Sequence, residues 1–358
     1  MRNHFYIRIA DDMHCHLRQG DMLNFTVQSI SRGGCNRVLV MPNTTPIINS
    51  CKDAQKYLYE LKKHDENIEY LMTLYLTNDT NENDILSNYN ECNLQGVKVY
   101  PSNVTTNSCY GITSLEPYYK VFHALEKLNK SVHIHCEEPN INPLYAEERF
   151  LPHIHELAIK FPGLNIVLEH ISSSESINVI KQFPNVAGSI TPHHLYLTID
   201  DVLNMDMYDH SINNTCIEKY IKNTYHYCKP LPKLLEDKIA LQNVIKDDFP
   251  RVFLGSDSAP HYKFMKRQPY YKPGIYTQPF LINYVAHIFD KFDAIDKMEN
   301  FTSRNAALFL NLGDKREMEK HFICVQKHPF RLPREYNGVV PFLAGKTLDY
   351  VIHYISKF

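Results

Sequence analysis

Short apolar runs alternate along the chain with stretches of helical spacing, and eight of the runs break off into polar or ionisable residues. They predict strands at Asp12–His16, Arg37–Asn43, Glu69–Leu76, Gly96–Pro101, Ser131–Glu137, Asn165–Ile171, Ala187–His193 and Val252–Asp257. Between them, spacings of three and four predict helices, as with Ala54, Tyr57, Leu58 and Leu61 within Asp53–His64, and again over Leu115–Leu128. Strands alternating with helices in this way predict an α/β fold, a (β/α)8 barrel of the TIM type, whose active sites gather at the C-terminal ends of the strands. One domain over 1–358 is expected. The interval of about 196–250 is longer than the others and rich in Asn and Lys, which predicts an insertion near the barrel mouth.

Composition narrows the class without changing that picture. A chain of 358 residues with 44% hydrophobic content can bury one large core. A net charge of −2 argues against nucleic acid or an anionic membrane as partner, and no apolar run approaches spanning length. Nine cysteines form no CxxC pair, and Met1 to Arg8 lacks the apolar core of a secretory signal, so reduced thiols and a cytoplasmic location are expected.

The polar ends of the strands carry the chemistry. His14 and His16 stand two apart, and in a strand residues i and i+2 face the same side, so both imidazoles can meet one ion. Taken alone, such a pair is more often an ordinary strand surface than a ligand pair. Lys98 is the one charge in Gly96–Pro101, between Val97 and Val99. Burial there favours the neutral amine, which can take up carbon dioxide as a carbamate able to bridge two cations; the bland alternative is a lysine snorkelling to the rim. His135 and His170 end two further apolar strands, and imidazole suits a cation of borderline softness. His133 shares a face with His135, but His135 lies nearer the strand's C-terminal end and is the better candidate. Asp257 offers a carboxylate where the last strand gives way to a loop, able to bind a cation and to take a proton. Cys15 and Cys136 have the opposite strand parity to the histidines and read as packing residues.

The runs HCHLRQGDML, MPNTTP, GVKVYPSNVTTNS, HIHCEEP, EHI, ITPHHL, RVFLGSDSAPH and VPFLAG occur in order from residue 11 to about residue 345. Together they resemble the dihydroorotases of the bacterial class II type, in the amidohydrolase superfamily. The resemblance implies interconversion of N-carbamoyl-L-aspartate and L-dihydroorotate in pyrimidine synthesis, at two Zn2+ ions per chain bridged by carboxylated Lys98 and a hydroxide. His14, His16, Lys98 and Asp257 would hold the more buried ion, and Lys98, His135 and His170 the other, with Asp257 as proton shuttle. Arg18, Asn43 and His261 fall where the family binds the substrate's carboxylate and neighbouring groups, and Thr105 and Thr106 in a loop that closes over substrate. An arginine fork suits a carboxylate on physical grounds too.

Two positions depart from the family pattern. Lys229 stands where an apolar residue commonly contacts the substrate through its backbone. Pro273 stands where alanine is common, and with no N–H it can offer only its carbonyl. Family members are often homodimers, and association with neighbouring pathway enzymes is a further expectation of the resemblance. A hydantoinase or allantoinase would share the metals but gives no reason for Arg18 directly after HxHL or for His261. A non-enzymatic scaffold of the same descent would be expected to lose ligands, and all six are present.

Overall fold

All eight predicted strands form. In the computed structural model, which describes residues 3–105, 107–208, 217–313 and 322–355, a first strand β1 (His4–Arg8) precedes them. They follow as β2 (Ala10–Cys15), β3 (Cys35–Val40), β4 (Glu69–Tyr75), β5 (Leu94–Val99), β6 (Ser131–Ile134), β7 (Asn165–Leu168), β8 (Val186–Ile190) and β9 (Val252–Leu254). From β2 to β8 each pairs in parallel with the next in sequence, which makes one eight-stranded sheet. Between β9 and β2 the ring is drawn together just past the strand ends, where Asp257 N–H donates to His14 O at 2.9 Å and His16 N–H to Ser258 O at 3.0 Å. The buried Asp12 carboxylate adds to this seam by accepting from Ser256 N–H at 2.7 Å and Ser256 Oγ–H at 2.6 Å.

Strand alternation sorts the residues into two layers. Val97, Val99, Val132, Ile134, Ile166 and Leu168 face outward and pack with the helices in the main core, where Cys15 and Cys136 also lie. Met13, Leu39, Leu71, Val167, Ala187 and Phe253 face inward and fill the barrel floor, against Ala306 and Leu310 of the segment Asn305–Leu310. The barrel is therefore a packed core with its opening at the other end. Helices form as their spacing predicts: Cys51–His64 starts where Ser50 accepts from Asp53 N–H, and buries Ala54, Tyr57, Leu58 and Leu61. The expected helix from Leu115 opens instead as a 3-10 turn, Glu116–Tyr118, before turning α-helical over Tyr119–Lys127.

The strands stop earlier than the apolar pattern suggests. β6 ends at Ile134, β7 at Leu168 and β9 at Leu254. Just past those points backbone bonds persist, His135 N–H to Val99 O and Glu169 N–H to Ile134 O at 3.0 Å, while His170 N–H turns to a side chain, Ser189 Oγ at 2.7 Å, so the candidate ligands sit on short turns above the ladder.

One element lies outside the predicted pattern. β1 joins β10 (Phe322–Arg331) and β11 (Thr347–Ile355) in a three-stranded antiparallel sheet. In the 196–250 interval, 3-10 turns at Ile199–Asp201 and Glu218–Tyr220 precede the helix Leu235–Lys246. Leu144, Ile199, Val202, Leu203, Tyr208, Ile217, Tyr227 and Leu231 form a small core of their own there. Among the described residues no helix is long and apolar enough to cross a membrane.

Candidate metal centre and substrate pocket

Five of the six expected ligands meet in two groups, and the sixth is buried beside them. His14 Nε2 and His16 Nε2 approach the same oxygen, Asp257 Oδ1, at 3.4 and 3.1 Å. Opposite, His135 Nδ1 lies 3.2 Å from His170 Nε2. Two ligands at 2.0–2.1 Å on a tetrahedral ion stand about 3.3 Å apart, so each contact has the spacing of one edge of a shared coordination sphere. Lys98 is fully buried, and its Nζ has no hydrogen-bond partner among the described residues. Burial draws its pKa down to about 8, which brings the neutral amine within reach.

The far side of each imidazole decides what its near side can do. His14 Nδ1 is 2.7 Å from Glu169 Oε2, His16 Nδ1 is 2.8 Å from Asn43 Oδ1, and His135 Nε2 is 2.7 Å from Glu137 Oε2. An oxygen acceptor on one ring nitrogen holds the proton there and leaves the other nitrogen a lone pair for a cation. In those tautomers Nε2 of His14 and His16 confronts a carboxylate oxygen with no proton between them. That arrangement is repulsive unless a cation sits among the acceptors. Burial pulls the pKa of His16 down to about 4, keeping the ring neutral at physiological pH.

Glu169 and Glu137 escaped the sequence reading, although each lies within two residues of a named histidine. Glu169 does more than serve His14: Oε1 is 2.6 Å from His133 Nδ1, and Oε2 also accepts from Ser189 Oγ–H at 2.5 Å. His133 itself faces Ser131 and Glu169, whereas His135 is the one that meets His170. Burial would raise the Glu137 carboxyl, but His135, Lys229 and Lys233 bring it down to about 2. A second group, His193, His194 and Cys228, also brings its ligand atoms within 4.8 Å of one another. Both ring nitrogens of His194 are engaged there, by Thr191 Oγ1 at 2.9 Å and Pro230 O at 3.1 Å.

A cavity opens over the centre, bordered by His14, His16, Asn43, Thr105, His135, His170, Asp257, Arg18, Lys229, Pro273 and Gly274. Thr106 lies outside the described residues. His261 Nε2 is 3.0 Å from Pro273 O and 3.3 Å from an Arg18 guanidinium nitrogen. A carbonyl carries no proton, so Nε2–H must donate to Pro273 and that nitrogen cannot also accept from the guanidinium. The Pro273 carbonyl is accordingly occupied in orienting His261. Arg18 Nε–H donates to Pro260 O at 3.1 Å, which fixes the fork at the cavity's edge. Burial works against its charge, lowering the pKa to about 10, and an incoming carboxylate relieves that cost. The loop beside it is braced by Ser108, whose Oγ–H donates to Thr105 O at 2.7 Å, and by Asn107 Nδ2–H, which donates to Asn43 O at 3.0 Å.

Parallel barrel and centre together define the class, a metal-dependent amidohydrolase with its candidate ligands on the turns above the strands. No family model matches the chain. It is 34% identical over 344 residues to a probable dihydroorotase of Schizosaccharomyces pombe, spanning 95% of this chain and 96% of the relative. The crystal structure of dihydroorotase from Saccharomyces cerevisiae in complex with 5-fluoroorotic acid matches with a TM-score of 0.90 at 29% identity, over 99% of this chain and 100% of that one. An L-hydantoinase (dihydropyrimidinase) of Arthrobacter aurescens reaches a TM-score of 0.80 over 98% of this chain and 84% of its own, at 13% identity, a likeness of fold alone. The chain belongs to the dihydroorotase family, and its function is that of a dihydroorotase in pyrimidine biosynthesis.

Proposed function

We propose that this centre holds two zinc ions bridged by a carboxylated Lys98, and that it interconverts N-carbamoyl-L-aspartate and L-dihydroorotate with Asp257 moving the proton. The observation that carries the reading is the acceptor-to-acceptor contact of His14 and His16 with Asp257, together with His135 Nδ1 and His170 Nε2 at a similar separation, the spacing of ligands on a common ion. His14, His16 and Asp257 would hold one ion, His135 and His170 the other, and the Lys98 carbamate both. Such ions polarise the ring carbonyl and lower the pKa of water.

The chain's own residues do the rest. Arg18, with Asn43 and His261, grips the α-carboxylate and presents the reacting carbonyl to the centre. Asp257 accepts a proton from the attacking water and hands it to the leaving ring nitrogen. In cyclisation it takes the proton from the carbamoyl nitrogen instead. Burial would raise its carboxyl, but His16, which faces it, and the neighbouring His14 and His193 hold it well below the usual range, so it enters the reaction ionised. Lys229 and Pro273 border the substrate, and Thr105 lies on the loop that covers it, keeping bulk water out. Among the described residues every cysteine is a free thiol, which supports a cytoplasmic location. A homodimer, and contact with other enzymes of the pathway, complete the reading.

Asp257→Asn keeps an oxygen for the ion and removes the base. It should retain most of its metal and lose at least about a hundredfold in kcat. A near wild-type rate with full metal would move the proton to another group, His261 first. For Lys98 the check is electron density: a planar group extending past Nζ to both ions supports the carbamate, and a bare ammonium refutes it. N-carbamoyl-aspartate assayed beside hydantoins on the same sample separates this substrate from those of the related cyclic amidohydrolases.

A further inference from the structure

A lysine with no part in the centre organises one wall of the pocket. Lys266 closes the 3-10 turn Lys263–Lys266 and is only 4% exposed. Its Nζ–H groups donate to three backbone carbonyls: Tyr227 O at 3.0 Å, Lys272 O at 2.9 Å and Gly274 O at 2.6 Å. An ammonium has three protons, and here each has a carbonyl. Burial pulls its pKa down to about 7; the three converging carbonyl dipoles work against that burial and favour the charged form.

The carbonyls belong to two segments far apart in sequence. Tyr227 leads directly into Cys228 and Lys229, while Lys272 and Gly274 flank Pro273, and Lys229, Pro273 and Gly274 all border the substrate cavity. Gly274 N–H also donates to Tyr227 O at 2.9 Å, so that carbonyl joins the segments twice. Little room exists for the wall to settle elsewhere. A Cβ on Gly274, at φ 139°, would lie 2.5 Å from Ala259 O, and the Pro273 carbonyl is committed to His261.

We propose that Lys266 is a positioning residue for the dihydroorotase reaction: its ammonium ties the Tyr227–Lys229 and Lys272–Gly274 segments into one wall and so sets the pocket's grip on the substrate. It touches no reacting atom. The inference rests on the pocket assignment made above, and its signature is a change in substrate affinity with the chemical step and the metals preserved.

The test compares the metal-loaded enzyme with Lys266→Met, which fills similar space without a donor, and Lys266→Gln, which keeps two N–H groups. Steady-state kinetics should show KM raised about tenfold or more in Lys266→Met, the scale of losing hydrogen bonds to a charged group. Lys266→Gln should fall between it and wild type. In both, kcat should stay within about threefold of wild type and metal content should be unchanged, because the ligands lie on other turns. A folded variant of either kind with wild-type KM, including one whose Tm has fallen, overturns the proposal, since a merely structural lysine would behave that way. Should Lys266→Met fail to fold, the KM of Lys266→Gln decides. Arg18→Met, run in parallel, separates the two levels: unchanged kcat/KM there sinks the pocket assignment itself. A loss there, with Lys266 variants like wild type, sinks only the role of Lys266.

Discussion

At the scale of single residues, the centre depends as much on the partners of its histidines as on the histidines. Glu169 is fully buried and shares its two oxygens among His14, His133 and Ser189. Burial raises its carboxyl, yet His14, His133 and Lys98 hold it well below the ordinary value. Glu169→Gln keeps the shape but places an N–H where an acceptor is needed, which disturbs the tautomer of His14. Metal affinity should fall by about 10- to 100-fold, the usual effect of losing such a partner, and titration of the apo protein with zinc would measure it. Unchanged affinity would mean that His14 is held by its backbone alone. Histidines at strand ends are visible in the sequence because their type and spacing are unusual there. Glu169 and Glu137 are not, because a carboxylate beside a histidine in sequence reads the same whether it turns to that ring, to another or to solvent.

At the scale of elements, the turns that follow the strands aim the side chains. His170 and Asp257 have φ of 43° and 44°, and Arg18 has 60°, left-handed values that side chains other than glycine adopt at a cost of about 1 to 3 kcal/mol each. The surrounding bonds hold them there: His170 N–H is tied to Ser189, and Asp257 N–H to His14 O. Gly255, which starts the turn to Asp257, sits so close to the neighbouring strands that a Cβ would lie 2.8 Å from Ser189 Cβ and 3.0 Å from His14 Cβ. Gly255→Ala must therefore displace Ser189, which holds His170 and Glu169, or His14, or the Asp257 turn. Reduced metal occupancy and activity are expected in a chain that still folds, checked by metal analysis beside circular dichroism. Full occupancy would show that the turn can yield. Glycine in LGSDSAPH is plain to read, but the reason for it lies in β2 and β8, strands distant in sequence.

At the scale of the whole molecule, the two ends of the described chain are joined by the antiparallel sheet. β1 pairs with β10 from His4↔Gln326 to Arg8↔Phe322, and β10 with β11. The sheet packs on the helix Leu281–Lys291, where Asn283 Nδ2–H donates to Tyr350 O at 3.1 Å. Among the described residues, Ile323, Val325 and Leu348 are its fully buried ones. Ile323→Ala should destabilise by about 2 to 5 kcal/mol, as expected for a large side chain cut back in a core. Chemical denaturation would report the loss, and kcat should hold, because the sheet carries none of the candidate ligands. A loss below about 1 kcal/mol would mean the sheet contributes little to the cooperative unit.

What the sequence determined by itself is the barrel and the identity of its candidate ligands. Parallel strands buried on both faces must be apolar throughout, so a charged or imidazole-bearing end stands out against them. The histidines, Lys98 and Asp257 are the residues that break those runs. The tertiary structure alone decided how each is used: which nitrogen carries the proton and which carboxylate holds it there. It also decided the sheet that unites the chain ends and the wall that Lys266 ties together. Apart from Glu137, two residues from His135, those features arise between segments from tens to hundreds of residues apart, and pairwise contacts over such separations leave no periodicity in the chain. A residue's type limits the bonds it can make, but folding chooses the partner.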